Sequence, residues 1–285
     1  MTNSYDDEPA VPSGDGGLVR LRLDLAYDGT DFSGWAAQPG RRTVEGTLAA
    51  ALAVVLRRQE PLKLTVAGRT DAGVHATGQV AHVDVPVGTG CDQLARRLGG
   101  VLPDDVVVRS VRIAPKAFDA RFAALARRYL YRVTDAAPDP LRRWDTLGWP
   151  RPLDANVMRA AALGLVGEHD FAAYCRPRAG ATTVRTLRSL AVERSGDVIT
   201  ISPIADAFCH NQVRAMVGAL LAVGEGRRSP DWPRQVLLAG VRDSGVTVAP
   251  PHGLTLVGVD YPPDDQLAER ARVTRARRDR PRDQD

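Results

Sequence analysis

The stretch Val19–Leu25, VRLRLDL, alternates apolar and charged side chains along its whole length. Alternation with a period of two is typical of a β-strand that buries one face and exposes the other. We therefore predict a strand here, with its leucines facing a core.

The residues that follow predict a helix and further strands. Thr43 can cap a helix in which apolar residues recur at helical spacing, and Val80–Val85 and Arg127–Thr134 have the composition of strands. The glycine-punctuated segment Gly68–Gly78 is predicted to be a loop between two strands. Strands and helices in mixed order indicate the α+β class.

The second half of the chain repeats this pattern. Asp154 can cap a helix, and Val184–Glu193 and Val198–Ile204 are predicted to form a hairpin. Apolar residues at helical spacing over Val213–Leu221 predict an amphipathic helix, and Leu254–Tyr261 a last strand.

Prolines in Asp135–Pro140 interrupt regular structure and mark a boundary between two similar halves. We expect an N-terminal lobe over residues 18–137 and a C-terminal lobe over 138–262. The acidic residues 1–17 and the charged residues 263–285 are expected to be disordered.

The charge balance favours a phosphate-bearing partner. The chain has 38 Lys and Arg against 34 Asp and Glu, and its net charge is +4 although residues 1–17 carry only acids. Nearly all the cations are arginine, which suits nucleic acid. Arginine-rich usage can also reflect the base composition of the coding DNA, so charge alone does not decide the function.

The cysteines predict neither a disulfide framework nor a zinc site, because Cys91, Cys175 and Cys209 are widely spaced without a Cys-x-x-Cys pair. We expect reduced packing residues. His75 and His82 have no third ligand at metal-binding spacing, so no metal is expected. No apolar stretch approaches the length of about 18 residues that a membrane span needs, which favours a cytoplasmic protein.

The segment Gly68–Gly73 places Arg69 two positions before Asp71, with a glycine on each side. Glycines permit tight turns and the close approach of a ligand. Thr-Asp-x-Gly is also a common turn in which the aspartate would bond its own backbone amides. Its position between two strands, where a rigid scaffold displays reactive groups, favours a functional role for Asp71.

Thirteen consecutive residues, AGRTDAGVHATGQ at Ala67–Gln79, are similar to the signature of the tRNA pseudouridine synthase A family. The upstream pattern YDGTxFxGW at Tyr27–Trp35 and the downstream patterns FxARF at Phe118–Phe122 and ARRYxY at Ala126–Tyr131 follow in the family's order. The resemblance covers about residues 18–262.

This resemblance implies an isomerase that converts uridine to pseudouridine in tRNA, at positions 38 to 40 of the anticodon stem-loop, without a cofactor. Asp71 would be the catalytic carboxylate, and Arg214 would pair with it from the other lobe. Tyr129 would stack on the target base, and Arg69 would help to bind RNA.

The resemblance also implies two ferredoxin-like or RNA-recognition-like lobes that share a continuous, mostly antiparallel sheet flanked by helices. A basic cleft would lie between the lobes, and a homodimer would span one tRNA.

Other interpretations remain open at this point. Tyr129 fits a core tyrosine, Arg214 a surface arginine beside an amphipathic helix, and His210 a structural histidine. The whole chain fits a non-catalytic RNA-binding protein on the same scaffold. A nucleotide-handling enzyme of different chemistry would need a phosphate loop or a metal cluster, and no such motif occurs in the sequence.

Three residues depart from the family's pattern. Gly99, Asp119 and Gln212 stand where asparagine, histidine and methionine are usual. Asp119 puts in doubt an RNA contact at that position, because a carboxylate repels phosphate.

Overall fold

A computed structural model describes residues 17–176 and 182–279 of the chain, which form ten strands and six α-helices. Residues 1–16, on which most of the predicted N-terminal disorder falls, lie outside the described residues. The strands are β1 Leu18–Tyr27, β2 Thr65–Val66, β3 His75–Pro86, β4 Val106–Ile113, β5 Ala126–Thr134, β6 Leu147–Gly148, β7 Gly167–Asp170, β8 Val184–Ser195, β9 Val198–Ala205 and β10 Leu254–Asp260. The helices are α1 Val44–Val55, α2 Cys91–Gly99, α3 Ala155–Leu163, α4 Gln212–Gly224, α5 Trp232–Ala239 and α6 Leu267–Asp279.

The strands join into one sheet in the order β4-β1-β3-β10-β5-β9-β8-β7, with β2 beside β3 and β6 beside β5. Only the pairs β10–β3 and β5–β6 are parallel among the described strands. The expected α+β class and the continuous, mostly antiparallel sheet are therefore confirmed. Because β10 lies between β3 and β5, the last strand of the described residues joins the two halves of the chain.

The pattern that predicted β1 corresponds to its burial. Leu21, Leu23 and Leu25 are fully buried, whereas Arg20 on the opposite face pairs with Asp84 at 2.7 Å. Each buried leucine contributes about 1.5–3 kcal/mol relative to an exposed one. The strand is thus held to the core by one face.

The predicted helix caps are also confirmed. Thr43 Oγ1 accepts a hydrogen bond from Gly46 N at 3.3 Å, and Asp154 Oδ1 accepts one from Asn156 N at 2.8 Å. Each cap satisfies an amide that has no partner inside its own helix, a contribution of about 1 kcal/mol.

Helices α1–α5 share one apolar core with the sheet, whereas α6 packs in a second, smaller cluster. Leu48, Leu94, Met158, Leu220 and Val236 represent the first five helices in the main core. The second cluster contains Leu267 and Ala271 of α6, packed with Val80 and Phe118. No helix in the described residues is long and apolar enough to span a membrane.

Two sequence-based expectations are wrong in their extent. Strand β3 begins at His75, inside the predicted loop Gly68–Gly78, because His75 pairs with Thr255 of β10. Helix α4 is not amphipathic but buried around its circumference, because α3, α5 and the segment before β10 cover its remaining sides.

The predicted disorder of residues 263–285 is also wrong for the described part of that segment. Residues 267–279 form α6, in which Leu267 and Ala271 are buried. Arg275 Nη2 of the same helix donates to Asp119 Oδ2 at 2.6 Å. Arg270 Nε also donates to Ala124 O at 3.4 Å, so α6 is docked by two buried apolar residues one turn apart together with two arginines.

Arg127 in β5 is buried and ties three segments of the chain together. Its Nη2 donates to Ala67 O at 2.6 Å and to Arg121 O at 2.7 Å, while Nη1 donates to Asp206 O at 2.7 Å. Burial lowers the pKa of Arg127, yet an arginine keeps its proton at neutral pH. One guanidinium thus connects the residue after β2, the segment before β5 and the residue after β9.

We expect Arg127→Met to lower the free energy of unfolding by about 3 kcal/mol or more, because each buried acceptor left unpaired costs about 1–3 kcal/mol. Urea unfolding followed by circular dichroism measures this change. The matched control is Arg128→Met, which removes the neighbouring guanidinium from the exposed face, where it pairs with Asp260 at 2.8 Å. That control should cost less than about 1 kcal/mol. Equal losses in the two variants would contradict the prediction.

Candidate active site

Asp71 lies in the loop between β2 and β3, whose backbone is fixed by side chains of the neighbouring strands. Gln79 Nε2 donates to Gly68 O at 2.9 Å, and the hydroxyl groups of Tyr27 and Thr70 are 2.8 Å apart. Tyr27 and Thr70 are both buried. The backbone that precedes Asp71 is therefore held in place by hydrogen bonds.

The segment after β1 closes over the same loop. Trp35 N donates to Thr70 O at 3.1 Å, and Gly73 N donates to Phe32 O at 3.3 Å. Gly34 has a φ of +92°, and a Cβ there would lie 2.9 Å from Thr70 O. These contacts give a physical reason for the spacing of glycine and aromatic residues upstream of the loop, since bulkier residues would push it away.

Arg214 approaches Asp71 from the other half of the sequence. Its Nη1 lies 3.7 Å from Asp71 Oδ2, and its Nε donates to Ala249 O at 2.7 Å. The Arg214 side chain is 16% exposed and that of Asp71 is 28% exposed. The structure thus brings together the two residues for which a pair was predicted, in a partly buried setting.

The position of Arg214 depends on the close packing of α4 against the segment that leads into β10. A Cβ on Gly218 would lie 1.7 Å from Thr247 O, so this position accepts only glycine without a backbone shift. Ala249 N donates to Arg214 O at 3.0 Å, which fixes the backbone of the same arginine. The arginine is therefore held both by its main chain and by its side chain.

His210 is a second basic residue at Asp71, and its interpretation from sequence as a structural histidine missed this. His210 Nε2 lies 3.5 Å from Asp71 Oδ1, while the imidazole side chain is 46% exposed. The sequence carries no local signal for this contact, because His210 lies before the N-cap residue Asn211 and outside α4.

Tyr129 lies on β5 and is mostly buried. Its ring packs edge-on against Phe208, with the ring centroids 5.3 Å apart. Burial raises the pKa of Tyr129, and the negative charge of Asp71 acts in the same direction, so its phenol is neutral at neutral pH. Phe208 also lies two residues before His210, so the segment that packs on Tyr129 continues to Asp71.

Arg69 and the two N-terminal histidines lie in different surroundings. Arg69 is exposed, on the loop that carries Asp71. His75 is buried, where its Nδ1 accepts from Gly29 N at 3.0 Å. His82 Nδ1 accepts from Ala120 N at 3.0 Å, and burial lowers its pKa to about 4. In the described part of the chain, no group of three His, Cys, Asp or Glu residues is placed to hold a metal ion.

The three departures from the family pattern have different surroundings. Asp119 Oδ1 accepts from Arg121 N and Phe122 N, in addition to the ion pair of Asp119 with α6. Its carboxylate is thus bound within the protein rather than presented to a ligand. Gln212 is fully buried, and Gly99 ends α2 with open space around its Cα.

Two of the three cysteines lie side by side in the fold. The Cα atoms of Cys175 and Cys209 are 5.8 Å apart. Arg176 N donates to His210 O at 3.0 Å beside this pair. Local sequence does not predict the pair, since folding brings together two segments separated by the hairpin β8–β9.

Comparison with known proteins gives the family. A family model described as tRNA pseudouridine synthase matches residues 161–262. The chain is 64% identical over 263 residues to the tRNA pseudouridine synthase A of Frankia casuarinae, covering 91% of this chain and 96% of that protein. It is 57% identical to the protein of the same name from Streptomyces avermitilis, with 93% and 96% covered. For the protein from Mycobacterium leprae, identity is 51% and coverage is 90% and 94%.

Identity of this degree over nine-tenths of both chains shows common descent of the whole described fold and not of one segment. The chain belongs to the tRNA pseudouridine synthase A family.

Proposed function

We propose that this protein isomerises uridine to pseudouridine at positions 38 to 40 of the tRNA anticodon stem-loop, with Asp71 as the catalytic carboxylate. The observation that carries the proposal is the partly buried pair of Asp71 and Arg214, formed between a fixed loop and a helix from opposite halves of the chain. Membership of the family supports the same reaction.

The chemistry requires little beyond a positioned carboxylate. The bond from ribose C1′ to uracil N1 breaks, the uracil turns, and C1′ joins C5, so no atom is gained or lost. Asp71 acts either by covalent attack or by removing a ribose proton. Neither route requires a redox group or a donor molecule, and the proposal therefore includes no cofactor.

Arg214 places a positive charge beside the carboxylate of Asp71. Two opposite charges about 4 Å apart attract by roughly 4 kcal/mol at an effective dielectric constant of 20, before desolvation costs. The arginine itself is held by Ala249 O. In this proposal Arg214 attracts the carboxylate of Asp71 and holds it in position when RNA covers the site.

The remaining residues bind the substrate. Tyr129 offers an aromatic ring for the target base, and stacking of a base on an aromatic ring contributes about 1–3 kcal/mol. Arg69 is exposed next to Asp71 and is suited to a phosphate group of the RNA. The family resemblance further supports a cytoplasmic enzyme that acts as a homodimer on one tRNA.

The direct test is incubation of the purified protein with an unmodified tRNA transcript, without any cofactor and with a chelator present. We expect pseudouridine at positions 38 to 40, mapped by chemical modification and reverse transcription. Binding of tRNA without product would instead favour a non-catalytic RNA-binding protein.

Asp71→Asn should leave tRNA binding intact but reduce product formation by at least the ~10²–10⁴ typical of acid-base groups. The substitution keeps the size of the side chain and removes the reactive charge. Single-turnover kinetics and filter binding separate the two effects. Asp92→Asn, at an exposed position in the first turn of α2, is the control with the same change in net charge. Substantial turnover by the Asp71 variant would remove its proposed role.

Arg214→Gln should lower the single-turnover rate by about 10²-fold, as removal of one preorganised electrostatic partner does in other enzymes. Arg214→Lys should retain part of that rate, because it keeps the charge but not the fork that also reaches Ala249 O. The exposed Arg234→Gln on α5 is the matched control. Full activity of Arg214→Gln would show that the pair is dispensable.

A further inference from the structure

Asp71 has two basic neighbours, and one is sufficient to balance its charge. Arg214 lies at Oδ2 and is mostly covered, whereas His210 lies at Oδ1 and is nearly half exposed. His210 therefore occupies the open side of the carboxylate, where a nucleoside has to enter. Arg214 is a permanent cation on the covered side of the carboxylate, whereas His210 carries an imidazole ring on its exposed side. The two residues therefore suit different tasks.

The structure fixes the backbone of His210. Its carbonyl oxygen accepts from Arg176 N at 3.0 Å. Around it, Gln212 N donates to Cys209 O at 3.1 Å, and Cys209 N donates to Gln212 Oε1 at 3.0 Å. Asn211 completes this turn with a φ of +67°, a conformation that asparagine tolerates better than most residues. The ring is thus presented from a closed turn and not from a free loop.

The reaction requires a proton carrier in addition to the carboxylate. When C5 has joined C1′, C5 still carries its hydrogen and N1 has none. The C5–H bond must break, its electron pair must form the C5–C6 double bond, and the former C6–N1 double-bond pair must move to N1, which takes a proton. One proton is removed and one is added, so the carrier ends as it began.

Among the described side chains at ion-pair distance from Asp71, only His210 carries an imidazole, a group that both accepts and donates a proton. Arg214 stays protonated. Tyr129 stays neutral because burial disfavours its phenolate, which makes it a poor acceptor. Asp71 is released from the ribose in both routes once C1′ has joined C5, but a carboxylate is a weaker base than an imidazole, so the later proton transfer is assigned to His210.

We propose that His210 is a catalytic proton carrier, whose neutral ring keeps its own proton on Nε2, toward Asp71, and whose Nδ1 accepts the C5 proton after the C1′–C5 bond has formed and returns it to N1. This inference rests on the proposed function and assigns its final step. The exposure of the ring leaves it accessible to the turned uracil, and its contact with Asp71 holds it beside the reacting sugar.

The test uses the full-length protein and tRNA transcribed with either ordinary or 5-deuterated uridine. His210→Gln keeps a hydrogen-bond donor, His210→Lys keeps a positive charge, and His210→Ala leaves space for added imidazole. His169→Gln is the matched control, because His169 lies on β7 at the far edge of the sheet, where its Nε2 bonds to Val166 O.

We expect His210→Gln and His210→Lys to lower the single-turnover rate by roughly 10²-fold, the lower range for acid-base groups. In both, the ratio of rates on ordinary and deuterated tRNA should rise above the wild-type ratio, because breaking of the C5–H bond becomes rate-limiting. Imidazole should restore turnover to His210→Ala but not to Asp71→Asn. Binding of tRNA should be unchanged in all of them.

A wild-type rate and an unchanged isotope ratio in His210→Gln would overturn the inference while the proposed function stands. Full activity of His210→Lys would overturn it as well, since charge alone would then be sufficient. A wild-type protein that forms no pseudouridine would overturn the proposed function and this inference together.

Discussion

The buried guanidinium of Arg127 is the constraint on which the site depends. It donates hydrogen bonds to the main-chain carbonyl groups of Ala67, Arg121 and Asp206. These three residues lie in separate segments of the chain, outside any common helix or strand. A carbonyl group in the interior has to be paired, and here one cation pairs three of them. The loop that carries Asp71 and the strand end that leads to Phe208 and His210 are therefore positioned by the same side chain.

The site combines rigid backbone with partly exposed side chains. The loop around Asp71 is bonded on its N-terminal side, and the turn around His210 is closed by Gln212. Each carboxylate oxygen of Asp71 faces a basic residue. Oδ2 faces Arg214, which is mostly covered, and Oδ1 faces His210, which is nearly half exposed. Preorganised charges of this kind stabilise a transition state without reorganisation at the moment of reaction, which suits an isomerisation that uses only the protein's own groups.

Local patterns predicted the elements well because strand alternation and helix caps depend only on residues that are close in sequence. The alternation in β1 and the cap at Thr43 are examples. Three features escaped because each depends on a contact with a distant segment: the early start of β3 at His75, the burial of α4 on nearly all sides, and the docking of α6. Within the site, the resemblance alone predicted that Arg214 would reach Asp71. The closeness of His210 depends on the geometry of one turn, which its composition does not determine.

The place of β10 in the sheet has a consequence for biosynthesis. This strand is the last of the described fold, yet it separates β3 from β5 and precedes only α6. During translation, neither neighbour finds its native partner at this position until residues 254–260 have left the ribosome. Ala249, which holds Arg214, emerges only shortly before them. A nascent chain thus acquires its assembled centre only after residues 249–260 have emerged, so products truncated before them would lack it.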